Sequence, residues 1–581
     1  MMASDAESGP APDSKSRNLT SADSMVDLLA AAEPTSPRRL GELIQRLEAS
    51  GRLRTVRLVE RVGQAPAGPA PGSLAIRGVS FDSRSVRPLS IFVAVPGAHV
   101  DGHDFVVAAA ALGAAAAIVE RPVPAAAIPQ VVVDDARRAL ATAAAWWYGD
   151  PSRELGVVGI TGTDGKTTTA FLSMAVLEEA GLSTGLISTA ALEVGSIRTE
   201  NPEHVTTPES PQLQQTLRAM VAAGNTAAIV ETTSHGLALA RVAEVAYDIA
   251  IFTNLSHEHL ELHGTFEAYR EAKLSLFRGL GKAGGMGGVA GARSAAVAVA
   301  KLLPRPWPRT AIVNADDPAA PLFIAAAQKA GAAIITYGES AGADVRAMTV
   351  EEDDHSLRVE VVTPRWAGLV ELHIAGRFNA LNACAAVALG EALNLDPEAI
   401  RRGLAQAGSV SGRMERVACG QPFGVIVDYA HSPVALQTVL DSLAPVAAAR
   451  GGGLIVVFGS AGERDVQKRP MMGRIAGERC RLVIVTDEDP RGEDSSAILD
   501  QIAAGAEAAG KGRGVDLLCI ADRRAAMATA FGRARPGDVV LLAGKGHEQS
   551  IIMSDGPQPW DEHAEAVRAL AGLGFGSKRA P

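Results

Sequence analysis

From Leu155 onward, short apolar runs alternate with amphipathic stretches, and each run breaks on Gly, Thr, Asn or Asp. Val157-Val158-Gly159-Ile160, Ala228-Ile229-Val230, Ile249-Ala250-Ile251-Phe252 and Ala311-Ile312-Val313 predict strands buried on both faces, as in a parallel sheet. A second series begins near 424. Val425-Ile426-Val427 runs into Asp428, Leu454–Phe458 into Gly459, Leu482–Val485 into Thr486, and Val539–Leu542 into Ala543-Gly544. Ahead of both, Ile91–Val95 and Gln130–Val133 predict strands, and 105–117 and 135–148 predict helices, the latter stopped by Gly149-Asp150-Pro151. Residues 36–53 predict a short amphipathic helix with Ser36 as N-cap and Pro37 at its first position. Residues 1–35, rich in Ser, Ala, Pro and Asp, predict a disordered tail, 66–72 a loop, and the Gly- and Ala-rich 281–299 a flexible insertion. The fold class is α/β in three domains, 36–153, 154–411 and 412–581. The central one is a parallel sheet of the phosphate-loop ATPase kind and the last is Rossmann-like. In such sheets ligands sit at the carboxyl ends of the strands, where the polar clusters fall.

Composition narrows the function. The chain has 581 residues, 47% apolar and 21% charged, which excludes wholesale disorder. Its formal charge is −10 and no basic run exceeds a pair such as Arg38-Arg39, so it does not read as a nucleic-acid binder. Four cysteines without CxxC spacing predict a reduced, cytoplasmic protein with no structural zinc. The longest uncharged apolar run, Phe105–Val119, is too short and too Ala-rich to insert into a membrane, and the N-terminus does not read as a signal peptide.

Chemistry enters at Gly159-Ile160-Thr161-Gly162-Thr163-Asp164-Gly165-Lys166-Thr167-Thr168-Thr169, between a strand and a helical pattern over 170–180. Successive backbone N–H groups of such a turn face a polyphosphate, and the helix N-terminus adds positive potential. Lys166 is placed to reach terminal phosphates, and Thr167 or Thr168 to hold Mg²⁺. The strict phosphate-loop pattern has Gly where this chain has Ile160, so the loop is a variant.

Further clusters follow in order: Glu231-Thr232-Thr233-Ser234-His235, Thr253-Asn254-Leu255, Asn314-Ala315-Asp316-Asp317, Gly376-Arg377-Phe378-Asn379 and Asp428-Tyr429-Ala430-His431. With the phosphate loop they resemble the Mur ligase family, ATP-dependent enzymes of peptidoglycan precursor synthesis, over 75–580. Asp82-Ser83-Arg84, Asp101-Gly102-His103, Thr206-Thr207-Pro208, Lys468-Arg469-Pro470, Asp489-Pro490-Arg491 and Gly544-Lys545-Gly546-His547-Glu548 resemble the branch that adds a diamino acid to UDP-N-acetylmuramoyl-L-alanyl-D-glutamate.

The resemblance implies a reaction and its residues. ATP phosphorylates the D-glutamate side-chain carboxylate, and an amine displaces phosphate from the acyl phosphate. ATP would be held by Gly162, Thr163, Asp164, Gly165, Lys166, Thr167, Thr168, Asn314, Arg377 and Asp428. Catalysis and Mg²⁺ fall to Lys166, Thr167, Glu231, His259 and Lys273, the lysine as a carbamate. His257-Glu258-His259 is not a zinc motif, because the second His of HExxH would fall at Glu261. Thr206, Thr207, Ser234 and Arg241 match positions for the peptide and sugar nucleotide, although Leu239 stands where the family often has Gln. Ser83 and His99 match the uridine side of the first domain. Arg413 opens the third domain near the hinge. Arg469, Glu488, Asp489, Pro490, Arg491, Gly544 and Glu548 match the amino-acid pocket.

The identity of the amino acid draws two opposed signals. Arg491 offers a fork for the distal carboxylate of meso-diaminopimelate. Asp489 replaces the Asn usual in diaminopimelate users and suits the ammonium of lysine or ornithine. Diaminopimelate is favoured, because a free Arg repels an ammonium. The more remote alternative is a ligase of the folylpolyglutamate synthase type. A monomer is expected.

Overall fold

A computed structural model describes residues 21–57, 70–97, 100–201, 205–256, 260–280, 307–352 and 356–576. His99, His259, the 281–299 insertion and residues 1–20 of the expected tail lie outside the described residues.

Three sheets carry the chain. The first has five strands, in the order Leu53–Arg57, Gln130–Val133, Ala116–Val119, Ser90–Val93, Gly78–Ser80, parallel apart from the first pair. The second has eleven strands, and its centre runs Thr184–Ile187, Ala227–Glu231, Gly156–Thr161, Ile249–Phe252, Thr310–Asn314, Ala333–Gly338, all parallel. The third has six strands: Glu415–Arg416, Gly424–Asp428, Val539–Ala543, Leu454–Phe458, Leu482–Val485 and Leu517–Cys519, parallel apart from the first pair. The strands read from apolar runs are nearly all buried, because helices cover both faces of each parallel sheet. Parallel register aligns the polar residue that ends each strand with its neighbour's, so Thr161, Glu231, Thr253 and Asn314 meet at one edge.

Both ends of the central sheet turn antiparallel, which the sequence reading did not anticipate. Ala191–Val194 and Ile197–Glu200 form a hairpin about Gly195 (φ +61°), and Val345–Glu352, Leu357–Val362 and Ala367–Leu372 form a meander. The half-exposed strands of the meander alternate in burial, a period-2 signal that the search for continuous apolar runs passed over.

Three further expectations are corrected. Residues 21–31 are a helix, not tail: Met25 and Ala32 are buried in the central core, with Leu28 and Leu29 packed beside them. Spaced i, i+3, i+4 and i+7, these four share one helix face. The helix read from Ser36 begins at Leu40, because Arg38-Arg39 pairs with Ala75-Ile76 as a short strand instead. The single helix read over 105–117 ends at Ala111. Gly113 takes a left-handed φ of +96°, and Ala116–Val119 continues as a buried strand.

The first sheet's layer is tied to the central one by polar contacts. Arg46 pairs with Asp150 at 2.6 Å and Glu244 at 3.3 Å, and Arg52 with Glu244 at 2.5 Å. Glu33, just past the first helix, accepts from Tyr148 Oη at 2.5 Å, Gln215 Nε2 at 3.1 Å and Trp147 Nε1 at 3.2 Å.

Candidate active site

The phosphate loop joins strand Gly156–Thr161 to helix Lys166–Glu179. Two glycines are required by space. A Cβ at Gly162 would meet Thr253 Oγ1 at 1.8 Å, and one at Gly165 (φ +79°) would meet Asn382 Oδ1 at 2.5 Å. The strand end Thr253-Asn254, to which the sequence reading gave no role, holds the loop. Thr253 Oγ1 donates to Asp164 O at 2.6 Å, Asp164 N donates to Asn254 Oδ1 at 2.8 Å, and Thr163 N donates to Asn254 O at 2.9 Å. Lys166 Nζ donates to Thr163 O at 2.6 Å, so its ammonium lies over the loop. Thr163 is buried and its hydroxyl lies 3.0 Å from Tyr269 Oη. Thr168 is buried in the first helical turn.

Glu231 ends the neighbouring strand and is buried. It accepts from Thr167 Oγ1 at 3.1 Å and from the Thr189 backbone N–H at 2.9 Å. A carboxylate and a hydroxyl at a helix N-terminus form an oxygen-donor set suited to a hard divalent cation. Among the described residues no group of three or more His, Cys, Asp or Glu is placed to hold a metal. Lys273 is buried beneath the loop, donating to Gly162 O at 2.7 Å, with its ammonium 4.5 Å from the Tyr269 ring centre.

Beside Glu231 lies the patch expected to meet the peptide. Thr207 Oγ1 donates to Glu231 O at 2.9 Å, and Thr206 Oγ1 is 2.8 Å from Thr189 Oγ1. Arg241 donates to Thr207 O at 2.9 Å but also pairs with Glu209 at 2.7 Å. Ser234 Oγ is buried and has no partner among the described residues. Ser83 sits in a 3₁₀ turn of the first sheet's layer, capped by Asp82.

The residues expected at ATP outside the loop carry structural bonds. Asn314 Nδ2 donates to Thr253 O at 2.7 Å, and its Oδ1 accepts from Asp316 N at 3.0 Å. Arg377 is exposed and pairs with Glu339 at 3.1 Å. Asp428 is buried and accepts from Met414 N and Ala430 N, both at 2.8 Å. Burial raises its carboxyl pKa, against the opposing charge of Arg413.

The third sheet meets the loop through Arg413 and His547. Arg413 lies 4.7 Å over the Tyr429 ring, and its Nη2 donates to Thr167 Oγ1 at 3.3 Å. His547 lies against the Thr189 backbone. Burial pushes its pKa down to about 3, and the positive charges of Arg413 and Lys545 add to this. His547 had been given no site role although it stands in the quoted cluster Gly544–Glu548, and Arg413 had been placed only near the hinge.

The residues expected to form an amino-acid pocket depart most from the sequence reading. Arg469 is fully buried and committed to Glu493 at 2.9 Å, Gln501 at 2.8 Å and Ala461 O at 3.1 Å, so it braces the loop behind the pocket. Asp489 is not a free anion: its Oδ1 accepts from Lys545 Nζ at 2.7 Å and Ile552 N at 2.9 Å. Arg491 is not a free cation either, because Asp489 Oδ2 lies 3.9 Å from its Nη2. Its buried Nε has no partner among the described residues, and its backbone is left-handed at φ +55°. Glu488 Oε2, against Gly544 and next to buried Pro490, is likewise buried with no partner among the described residues. Glu548 lies 2.6 Å from Lys545 and 3.4 Å from Tyr429 Oη, and burial raises its carboxyl pKa.

Comparison with known proteins gives three family matches. "Mur ligase family, catalytic domain" matches residues 75–148, "Mur ligase middle domain" 160–390, and "Mur ligase, glutamate ligase domain" 412–546. The UDP-N-acetylmuramyl-tripeptide synthetase of Roseiflexus sp. (strain RS-1) is 47% identical over 515 residues, 88% of this chain and 97% of that protein. The UDP-N-acetylmuramoyl-L-alanyl-D-glutamate--2,6-diaminopimelate ligase of Geobacter metallireducens is 40% identical, over 76% of this chain and 82% of its own. A solved structure of a ligase of the latter name superposes with a TM-score of 0.58 at 28% identity, covering 90% of this chain and all of that one.

Proposed function

Since the chain belongs to the Mur ligase family, whose members form amide bonds at the expense of ATP in peptidoglycan precursor synthesis, we propose that it adds a diamino acid to the D-glutamate side chain of UDP-N-acetylmuramoyl-L-alanyl-D-glutamate. The observation that carries this reading is the junction of two sites. Arg413, from the third sheet's layer, reaches Thr167 at the phosphate loop, and His547 approaches Thr189, whose backbone N–H holds Glu231, so the amino-acid pocket adjoins the phosphoryl-transfer centre. The divisions at 153/154 and 411/412 are proposed on the same basis, with the first unit for uridine (Ser83 and His99), the central one for ATP and the last for the amino acid.

The chemistry needs two anions held together and little covalent work from the protein. The glutamate carboxylate oxygen attacks the γ-phosphorus of ATP and ADP leaves. The amine nitrogen then attacks the acyl carbon, inorganic phosphate leaves, and the nitrogen gives up a proton. Lys166 and the helix N-terminus neutralise the transferring phosphoryl group. Thr167 and Glu231 would hold Mg²⁺, with His259 and a carbamylated Lys273 extending the set; the cation would supply charge neutralisation between nucleotide and carboxylate. Thr206, Thr207, Ser234 and Arg241 orient the peptide; the hydroxyl of Ser234 has a donor to offer. Asn314, Arg377 and Asp428 flank the nucleotide.

For the amino acid, Arg491 favours meso-diaminopimelate: its buried Nε is without a partner, and Asp489 is neutralised by Lys545. A second reading, ornithine or lysine, is favoured by the charge count. Among the described residues Asp489 and Glu548 pair with Arg491 and Lys545, and Glu488 adds a third carboxylate with no ion pair of its own, an excess of one negative charge that suits a distal ammonium. Phosphate release dependent on the UDP-dipeptide, measured with diaminopimelate, lysine and ornithine in parallel, tests both. Faster turnover with diaminopimelate supports the first reading, and turnover with ornithine or lysine alone replaces it. Release with no dependence on any diamino acid overturns the assignment.

A further inference from the structure

Lys545 is a lysine with no exposure, standing between Gly544 (φ +102°) and Gly546 (φ +50°) in a loop at the end of strand Val539–Ala543. Its Nζ lies 2.7 Å from Asp489 Oδ1 and 2.6 Å from Glu548 Oε2. The two carboxylates belong to different segments, one after strand Leu482–Val485 and one past the loop itself. Burial alone lowers an ammonium's pKa, but here the two anions outweigh it and hold the lysine above its ordinary value. Nothing about this pair of contacts serves the ATP site, since none of the phosphate-loop residues touches Lys545 in a described hydrogen bond or ion pair.

We propose that Lys545 is a positioning and specificity-determining residue: it ties Asp489 to Glu548 and so sets the charge that the pocket presents to the distal end of the incoming diamino acid. This rests on the functional reading above. Without the ammonium, Asp489 and Glu548 would be two buried like charges, each desolvated and mutually repelling. Asp489 would then be released toward Arg491, whose Nη2 is already within 3.9 Å, and would compete for the guanidinium with a substrate carboxylate. With the ammonium in place Arg491 keeps its donors, and Glu488, whose Oε2 has no partner, remains to receive an ammonium.

The test uses the full chain with three variants, Lys545→Met, Lys545→Arg and Asp489→Asn/Lys545→Met, each assayed for the KM of amino acid, ATP and UDP-dipeptide. Lys545→Met is expected to raise the amino-acid KM at least tenfold and to leave the ATP and UDP-dipeptide KM within twofold. Asp489→Asn/Lys545→Met, which removes one charge of each sign, is expected to recover most of that loss, and Lys545→Arg part of it. A lysine serving only to hold the fold would lower the melting temperature and disturb all three KM values together, with no rescue. An unchanged amino-acid KM in Lys545→Met, or a double variant no better than the single one, overturns the inference. Should Lys545→Met fail to fold, the charge-balanced double variant carries the test: an amino-acid KM more than tenfold above wild type overturns the inference. If the unmodified enzyme itself shows no diamino-acid-dependent phosphate release, the functional reading falls and takes this inference with it. A normal wild-type rate beside an unaffected Lys545→Met overturns this inference alone.

Discussion

On the proposed reading Arg491 is the residue on which the choice of amino acid turns. Its backbone takes a positive φ, and its buried Nε has no partner among the described residues, a cost that a carboxylate ligand would offset. Arg491→Ala should cut kcat/KM for diaminopimelate by about a hundredfold, the loss of a charge-assisted bidentate contact. Unchanged kinetics with diaminopimelate would remove Arg491 from the pocket. His547 makes a prediction about pH. Folded, it stays neutral down to about pH 3, whereas its ordinary value is 6.5. Between these values the unfolded chain takes up a proton that the folded one refuses. Stability therefore falls as pH drops below about 6.5, and this group adds no slope above it. His547→Gln should lose less melting temperature than wild type between about pH 7.5 and pH 5. Parallel curves for the two proteins would sink the assignment.

Among the elements, the helix Ser21–Ala31 is the one that composition misrepresented. The Ser, Pro and Asp of the first 35 residues mask four apolar positions at helical spacing, and those positions need the central core before they are worth anything. Glu33, at the end of this segment, accepts from three donors, one from helix Ser210–Ala222 and two from helix Ala136–Tyr148. Removing it strands a buried indole N–H and a phenol. Glu33→Ala should lower the free energy of unfolding by about 1–3 kcal/mol, read from the denaturant midpoint. A shift within error would show that these donors find other partners.

For the molecule as a whole, a net charge of −10 means that an enzyme acting on anions must gather its positive charge locally. The structure narrows which cations can serve. Arg241, Arg377 and Arg469 are each paired with a carboxylate, Glu209, Glu339 and Glu493. Arg491 and Lys545 are likewise paired, with Asp489 and Glu548, which leaves Lys166 and Arg413 as the cations beside the phosphate loop with no ion pair among the described residues. The approach of the third sheet's layer to the phosphate loop depends on Gly412. Its φ is +68°, and a Cβ there would come within 2.2 Å of His547 N. Gly412→Ala should displace Arg413 and His547 together. We expect kcat for ligation to fall about tenfold or more, with the KM for ATP changing much less. Retained kcat would mean that this junction is not needed for the reaction.

The apolar runs by themselves determined the parallel strands, because a strand covered on both faces must be continuously apolar whatever packs on it. The phosphate loop was equally legible, since a glycine-rich turn, a lysine and a helix start are contiguous in the chain. The antiparallel meander at 345–372 was not, because its strands are apolar on one face only. What only the tertiary structure decided is the charge state of the pocket. Asp489 read as a lone anion opposed to Arg491, yet its partner Lys545 lies 56 positions away, brought over because the strands before the two residues both run parallel to Leu454–Phe458, one on each side of it. The same holds for Glu33 and Tyr148, 115 positions apart. Local pattern sets which residues end a strand or turn a helix; which charges then neutralise each other depends on strand order and register, and those are properties of the folded sheet.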